Sequence, residues 1–206
     1  MKIFLRLSIA ICFLVTATYS QAQIKFGPKV GLNLSTMTLK YSGYGISPET
    51  KVGYNVGIIS EITLKGNFVL QPGILFSTKG SKYSVSGYDM SISPSFIEIP
   101  VNGLYKIDLG SANFLLFAGP YFAFGIGGDY KTPDESNDIA YGSGEDKDMK
   151  SFDCGLNFGV GIEVSNFQIS AQYGLGLTNL APITTNGAEM KVSVIGISMA
   201  YLFKGK

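Results

Sequence analysis

The stretch Phe152-Asp153-Cys154-Gly155-Leu156-Asn157-Phe158-Gly159-Val160-Gly161-Ile162-Glu163-Val164 decides the fold. Phe152, Cys154, Leu156, Phe158, Val160, Ile162 and Val164 share one parity. Asp153, Gly155, Asn157, Gly159, Gly161 and Glu163 share the other. Alternation sustained over this length is the signature of a strand with two unlike faces. After only Ser165-Asn166, the segment Phe167–Leu177 repeats it, with Gln168, Ser170, Gln172, Gly174 and Gly176 on the polar side. A connection of that length joins an antiparallel hairpin.

Working outward, the same period predicts strands over Phe26–Thr36, Val52–Ile62, Phe68–Thr78, Phe96–Tyr105, Phe114–Ile126 and Val192–Phe203. In the last, Val192 and Val194 have one parity, whereas Ile195, Ile197, Met199, Tyr201 and Phe203 have the other, so a bulge is expected near Val194. Pro28, Pro72 and Pro120 each remove a ladder donor, and a bulge or weak pairing is expected there. The connections at 63–67, 106–113 and 165–166 are short. Those at 37–51, 79–95, 127–151 and 178–191 are long. Alternating short turns and long loops around an even strand number is outer-membrane topology.

Periodicity alone does not say which face is inside. The polar face is Gly-rich and carries few charges, which suits a tight interior better than a solvated surface. Aromatic residues gather at strand ends on the apolar face. Phe26, Phe68, Tyr105, Phe114, Phe167, Tyr201 and Phe203 form one girdle, read as periplasmic; Tyr54, Phe76, Phe124 and Phe152 form the other. Two such belts mark the interfaces of a membrane barrel. The expected fold is therefore all-β, an eight-stranded antiparallel up-and-down transmembrane β-barrel with short periplasmic turns and long outer loops. The alternative is a secreted soluble barrel of lipocalin type, which would need its apolar face inside.

Composition agrees. Of 206 residues, 46% are hydrophobic and 15% charged, with 26 Gly and a net charge of +1. The charge balance leaves no electrostatic footprint for nucleic acid. There is no His, which excludes Ser-His-Asp triads, Cys-His dyads and His-based metal sites. Residues 1–22 read as a cleaved secretory signal peptide. Lys2 and Arg6 form its basic start, Leu7–Val15 its apolar run, and Ser20-Gln21-Ala22 the cleavage site. The barrel domain is then 23–206, with Cys154 as its one cysteine, so an intrachain disulfide is excluded.

An eight-stranded barrel has an interior just filled by side chains, so no open pore is expected. The inward charges are predicted to pair across strands, Lys29 with Glu61 and Lys79 with Glu98, because unpaired burial is costly. Asn33, Asn55, Asp153, Asn157 and Glu163 are the other expected lumenal polar groups. The acidic segment 127–150 matches no calcium-loop spacing and is expected to be a solvated, mobile loop. No nucleophile with an activating base is evident, so no catalytic residue, cofactor or metal is expected.

Several stretches together carry a family resemblance. They are Gly27-Pro28-Lys29-Val30-Gly31-Leu32-Asn33, Phe68–Gly80, Ile97-Glu98-Ile99-Pro100-Val101, Ala118-Gly119-Pro120-Tyr121 and Ala200-Tyr201-Leu202-Phe203. The chain resembles the PorT-like outer-membrane β-barrel family of Gram-negative envelopes, small porin-like barrels. The resemblance implies this fold, an integral outer-membrane location after export through the periplasm, and insertion by the barrel assembly machinery through a closing aromatic. Here Lys204-Gly205-Lys206 follow that aromatic. Outer-membrane lipid, lipopolysaccharide and envelope proteins bound through the outer loops are the expected partners. The expected role is structural or surface-interacting, or else that of an accessory subunit in an envelope secretion or assembly complex.

Overall fold

The computed structural model describes residues 24–41, 44–46, 48–85, 88–184 and 187–204. The predicted signal peptide lies outside the described residues. The described elements are strands: β1 (Ile24–Tyr41), β2 (Tyr44–Ile46), β3 (Glu49–Lys65), β4 (Phe68–Thr78), β5 (Ser81–Val85), β6 (Tyr88–Asp108), β7 (Asn113–Lys131), β8 (Ser136–Asp138), β9 (Phe152–Val164), β10 (Phe167–Gly176), β11 (Glu189–Tyr201) and β12 (Phe203–Lys204).

The long strands pair antiparallel in the cycle β1–β3–β4–β6–β7–β9–β10–β11, and β11 returns to β1. The eight-stranded up-and-down barrel is thus closed, with no free edge in the ring. Closure pairs the ladders around the whole ring, the condition for spanning lipid with strands. Short turns follow β3, β6 and β9. Gly66 opens the first of these at φ 58 and Ser165 opens the last at φ 56, the positive dihedrals that two-residue hairpin loops require.

The faces fall as alternation assigns them. Leu32, Ile58, Ile169 and Ile197 are each 58–62% exposed. By contrast Lys29, Glu61, Lys79, Glu98 and Asp153 are buried. The apolar wall faces outward and the polar wall inward, the arrangement of a membrane barrel and the opposite of what a soluble ligand barrel needs.

Two local expectations are corrected, and the prolines show the weak pairing expected of them rather than a bulge. Val192 and Val194 do not sit beside a bulge. The β1–β11 ladder runs through both in unbroken register, and the β10–β11 ladder runs through Val194. Both face the lumen, where they join Met37, Phe96, Tyr121, Ala123, Ile139, Met149 and Leu180 in a buried apolar cluster. The parity change records a lumen that becomes apolar towards its long-loop end.

The prolines weaken pairing but shift nothing. The β4–β6 ladder lapses between Pro72–Val101 and Leu75–Glu98, then resumes in the same register. The β6–β7 ladder does the same beside Pro120, between Pro100–Tyr121 and Gly103–Ala118. Pro28 stays in register opposite Ile58.

The segment 127–150 is not simply a solvated loop. Its start belongs to β7, β8 pairs back on β7, and Ile139 and Met149 pack over the lumen. Backbone bonds from Asp148 N–H to the Ala140 carbonyl (2.9 Å), from Lys150 N–H to the Leu180 carbonyl (2.9 Å) and from Leu180 N–H to the Met190 carbonyl (2.8 Å) stitch this lid to β11. The long connections are in good part strand: β1, β3, β6 and β7 run 18, 17, 21 and 19 residues, well beyond the roughly 10 a tilted strand needs to cross a bilayer.

Candidate functional site: the polar lumen and its two rims

The polar parity of each strand delivers its side chains into one interior, which divides into three layers. The layer nearest the short turns is ionic. Lys106 Nζ donates to Glu61 Oε2 at 2.6 Å and also to Glu163 Oε2. Lys25 Nζ donates to Glu163 Oε1 at 2.9 Å. Gln71 and Gln168 each donate to Glu61 Oε1 at 3.1 Å and meet each other at 3.0 Å. Two ammoniums face two carboxylates here, and amide donors take up a remaining acceptor, which is what makes buried charge tolerable.

The middle layer mixes charge and amide. Lys79 Nζ lies 2.6 Å from Glu98 Oε2. The same ammonium sits 4.4 Å from the Tyr121 ring centroid and 5.5 Å from that of Phe96, within cation–π range. Tyr121 donates its hydroxyl proton to Asp153 Oδ2 at 2.9 Å. Asn33 donates to Ser77 Oγ at 3.1 Å and to the Thr78 carbonyl at 3.0 Å, and accepts from Asn55 Nδ2 at 2.8 Å. Between these groups lies a void of about 10 Å³, lined by Lys29, Asn55, Lys79, Glu98 and Asn157 among others. That is about the room of one water molecule. The third layer is the apolar cluster under the lid.

The structure brings the expected Lys79 and Glu98 together. It does not bring Lys29 to Glu61. Register places Lys29 opposite Gly57 and Lys25 opposite Glu61. Four residues of strand separate the two levels, roughly 13 Å. Lys29 instead lines the mid-lumen void with Lys79 and Glu98, and Lys106 and Lys25 serve the lower carboxylates. Asn33, Asn55, Asp153, Asn157 and Glu163 are all buried in the lumen. Lys25, Lys106 and Tyr121 are among the lumenal groups that sequence reasoning passed over. Their parity carried the signal, since Lys25 matches Lys29, and Lys106 matches Glu98 and Asn102.

Around the short-turn rim, the aromatic residues touch in pairs. Ring centroids lie 6.1 Å apart for Phe26–Phe203, 4.9 Å for Phe68–Tyr105, 4.8 Å for Phe167–Tyr201 and 4.9 Å for Tyr201–Phe203. Phe114 stands opposite Ile162 on β9. At the other belt Tyr54 meets Phe76 at 5.8 Å and Phe124 meets Phe152 at 5.3 Å.

Residues 19–181 match the family described as outer membrane protein beta-barrel domain. The chain belongs to that family. Membership places this closed barrel in the outer membrane. No curated protein matches the chain. Among solved structures it is similar to Ail, the attachment invasion locus protein of Yersinia pestis, in complex with the heparin analogue sucrose octasulfate. Identity there is 13% and the TM-score 0.44, covering 88% of this chain and 99% of that one. Neisserial surface protein A is similar at 10% identity and TM-score 0.44, over 85% of this chain and 97% of that one. The N-terminal β-barrel domain of Pseudomonas aeruginosa OprF is similar at 10% identity and TM-score 0.38, over 89% and 100%.

Proposed function

We propose that this outer-membrane barrel is closed to solutes, has no catalytic activity, and works through its surface, with the long-loop rim as the part that meets partners. The filled lumen carries this reading. Its ion pairs, amide bonds and apolar lid leave a mid-lumen void of about 10 Å³, too small for a hydrated ion. Breaking the lower ionic layer would strand buried carboxylates at a cost of several kcal/mol, so opening this lumen is expensive. The reading takes residues 1–22 as a cleaved export signal in a Gram-negative cell. It includes insertion by the barrel assembly machinery, lipopolysaccharide and lipid around the wall, and envelope proteins bound through the rim. The PorT-like kinship, and the accessory-subunit role that would go with it, rests on the sequence stretches from Gly27–Asn33 to Ala200–Phe203.

The test is conductance. Purified barrel inserted into planar lipid bilayers should give no stable current steps in molar potassium chloride. Reproducible unitary steps that scale with inserted protein would overturn the closed reading.

A further inference from the structure

The long-loop mouth of the barrel keeps an apolar hollow open at the edge of the lid cluster, against which Ile92 and Met190 pack. At the lid is an open cavity of about 330 Å³, lined by Met90, Ile92, Tyr130, Ile139, Met149, Met190 and Asp148. Met90, Ile92 and Met190 are half-buried on inward positions of β6 and β11, and Ile139 and Met149 form a buried floor. This apolar hollow lies on the strand extensions, beyond the outer aromatic belt, where water rather than lipid is the neighbour. Apolar surface kept there marks a binding site rather than an anchor. Its size is at the lower end of small-molecule pockets, and three methionines give a lining that reshapes around an aliphatic body.

The one charge in the lining sets the polarity of the guest. Asp148 is exposed and is pinned by the Ala140 N–H, which donates to its Oδ2 at 2.8 Å. Lys147 pairs with Asp146 at 2.7 Å and Lys191 with Glu189 at 2.5 Å.

We propose that this mouth cavity binds a small cationic amphiphile, an aliphatic body seated on Met90, Met149 and Met190 with its ammonium on Asp148. It rests on the reading above only in taking the long-loop rim as the interacting surface; conductance would not change its outcome.

The methionines supply the assay. The chain has 6 Met. Met199 is 49% exposed on the lipid wall and Met37 is buried in the apolar cluster, so both are internal controls. Full-length barrel in lipid nanodiscs, labelled with ¹³C at the methionine methyls, is titrated with octylammonium. The Met90, Met149 and Met190 signals should move saturably while Met199 drifts linearly with lipid partition. Octanoate should not reproduce the saturation. Asp148→Asn keeps an acceptor for Ala140 and should weaken octylammonium roughly fivefold, the scale of an exposed charge contact. Met90→Trp, which fills the cavity from a strand position, should abolish saturation. The proposal is overturned if every methyl shifts linearly, if Met199 alone moves, or if octanoate saturates the same three methyls equally.

Discussion

Replacing Lys106 by methionine removes the ammonium that Glu61 and Glu163 share while keeping the aliphatic stem. Glu163 would retain Lys25, but Glu61 would be left with the amides of Gln71 and Gln168. Removing one partner from a buried ionic cluster typically costs about 3 kcal/mol or more. Lys106→Met should therefore lower unfolding stability in vesicles by about 3 kcal/mol, whereas exposed Lys82→Met should change it by less than about 0.5 kcal/mol. Equal effects in urea titrations would show that the lumenal network does not stabilise the fold. At this scale the sequence was legible in parity and illegible in depth. Alternation puts Lys29 and Glu61 on one wall, but their height depends on the β1–β3 register, which no local residue states. Tyr121 was obscured for another reason. An aromatic on the polar parity reads as noise until the Asp153 carboxylate is seen to meet its hydroxyl.

The β9–β10 hairpin turns through Ser165 at φ 56, a left-handed conformation that costs a non-glycine residue about 1 kcal/mol. The equivalent position in the β3–β4 hairpin is Gly66, at φ 58 with open space around its Cα. Ser165→Gly should therefore stabilise the barrel by about 0.5–1 kcal/mol, offset in part by the greater freedom of glycine in the unfolded chain. Unfolding in urea measures it; a loss of stability would mean that the hydroxyl matters more than the dihedral. At the opposite rim, Glu189 is held by Lys191 at 2.5 Å and by Lys40 at 3.2 Å, joining β11 to β1. Hydrogen bonds from Lys191 and then Lys40 draw its carboxyl below the ordinary range. A depressed folded value means that its contribution is complete above the unfolded value of about 4.3 and fades as pH falls through the lower folded one. Amide exchange at the outer ends of β1 and β11 should thus be flat from neutral pH to that range, once corrected for intrinsic rate. It should accelerate below that range, and Glu189→Gln should remove the step. The eight ring strands were legible, because two solvents impose two faces; the short strands β2, β5 and β8, which lie in segments read as loops, were not. The apolar cap over Val192 and Val194 was not, because an inward apolar residue under a lid has the same pattern as an outward one in lipid.

Taken as a whole molecule, the barrel is asymmetric along its axis. The short-turn rim closes soon after its aromatic girdle, whereas β1, β3, β6 and β7 continue past the outer belt and carry the lid. The alternation of short and long connections in the sequence announced that asymmetry. It could not announce the lid, since Ile139, Met149 and Leu180 come from two separate connections that only closure brings together. The family establishes an outer-membrane barrel, and the extended end is the rim proposed to interact, so orientation decides what that rim and its cavity can meet. If the lid faces the medium, a cysteine at exposed Asp146 should react with a membrane-impermeant maleimide on intact cells, and one at Gly66 should react only after the outer membrane is permeabilised. Cys12 and Cys154, the latter half-buried beside Thr178, are replaced by serine so that the new thiol is the only one in the chain. The reverse labelling pattern would place the short turns outside and make the lid, the methionine cavity and the Glu189 cluster periplasmic features. Labelling of both sites on intact cells, with loss of faster migration on unheated gels, would instead mean that the variants are not folded. Wild-type-like mobility shifts on boiling are therefore the control that makes either pattern decisive.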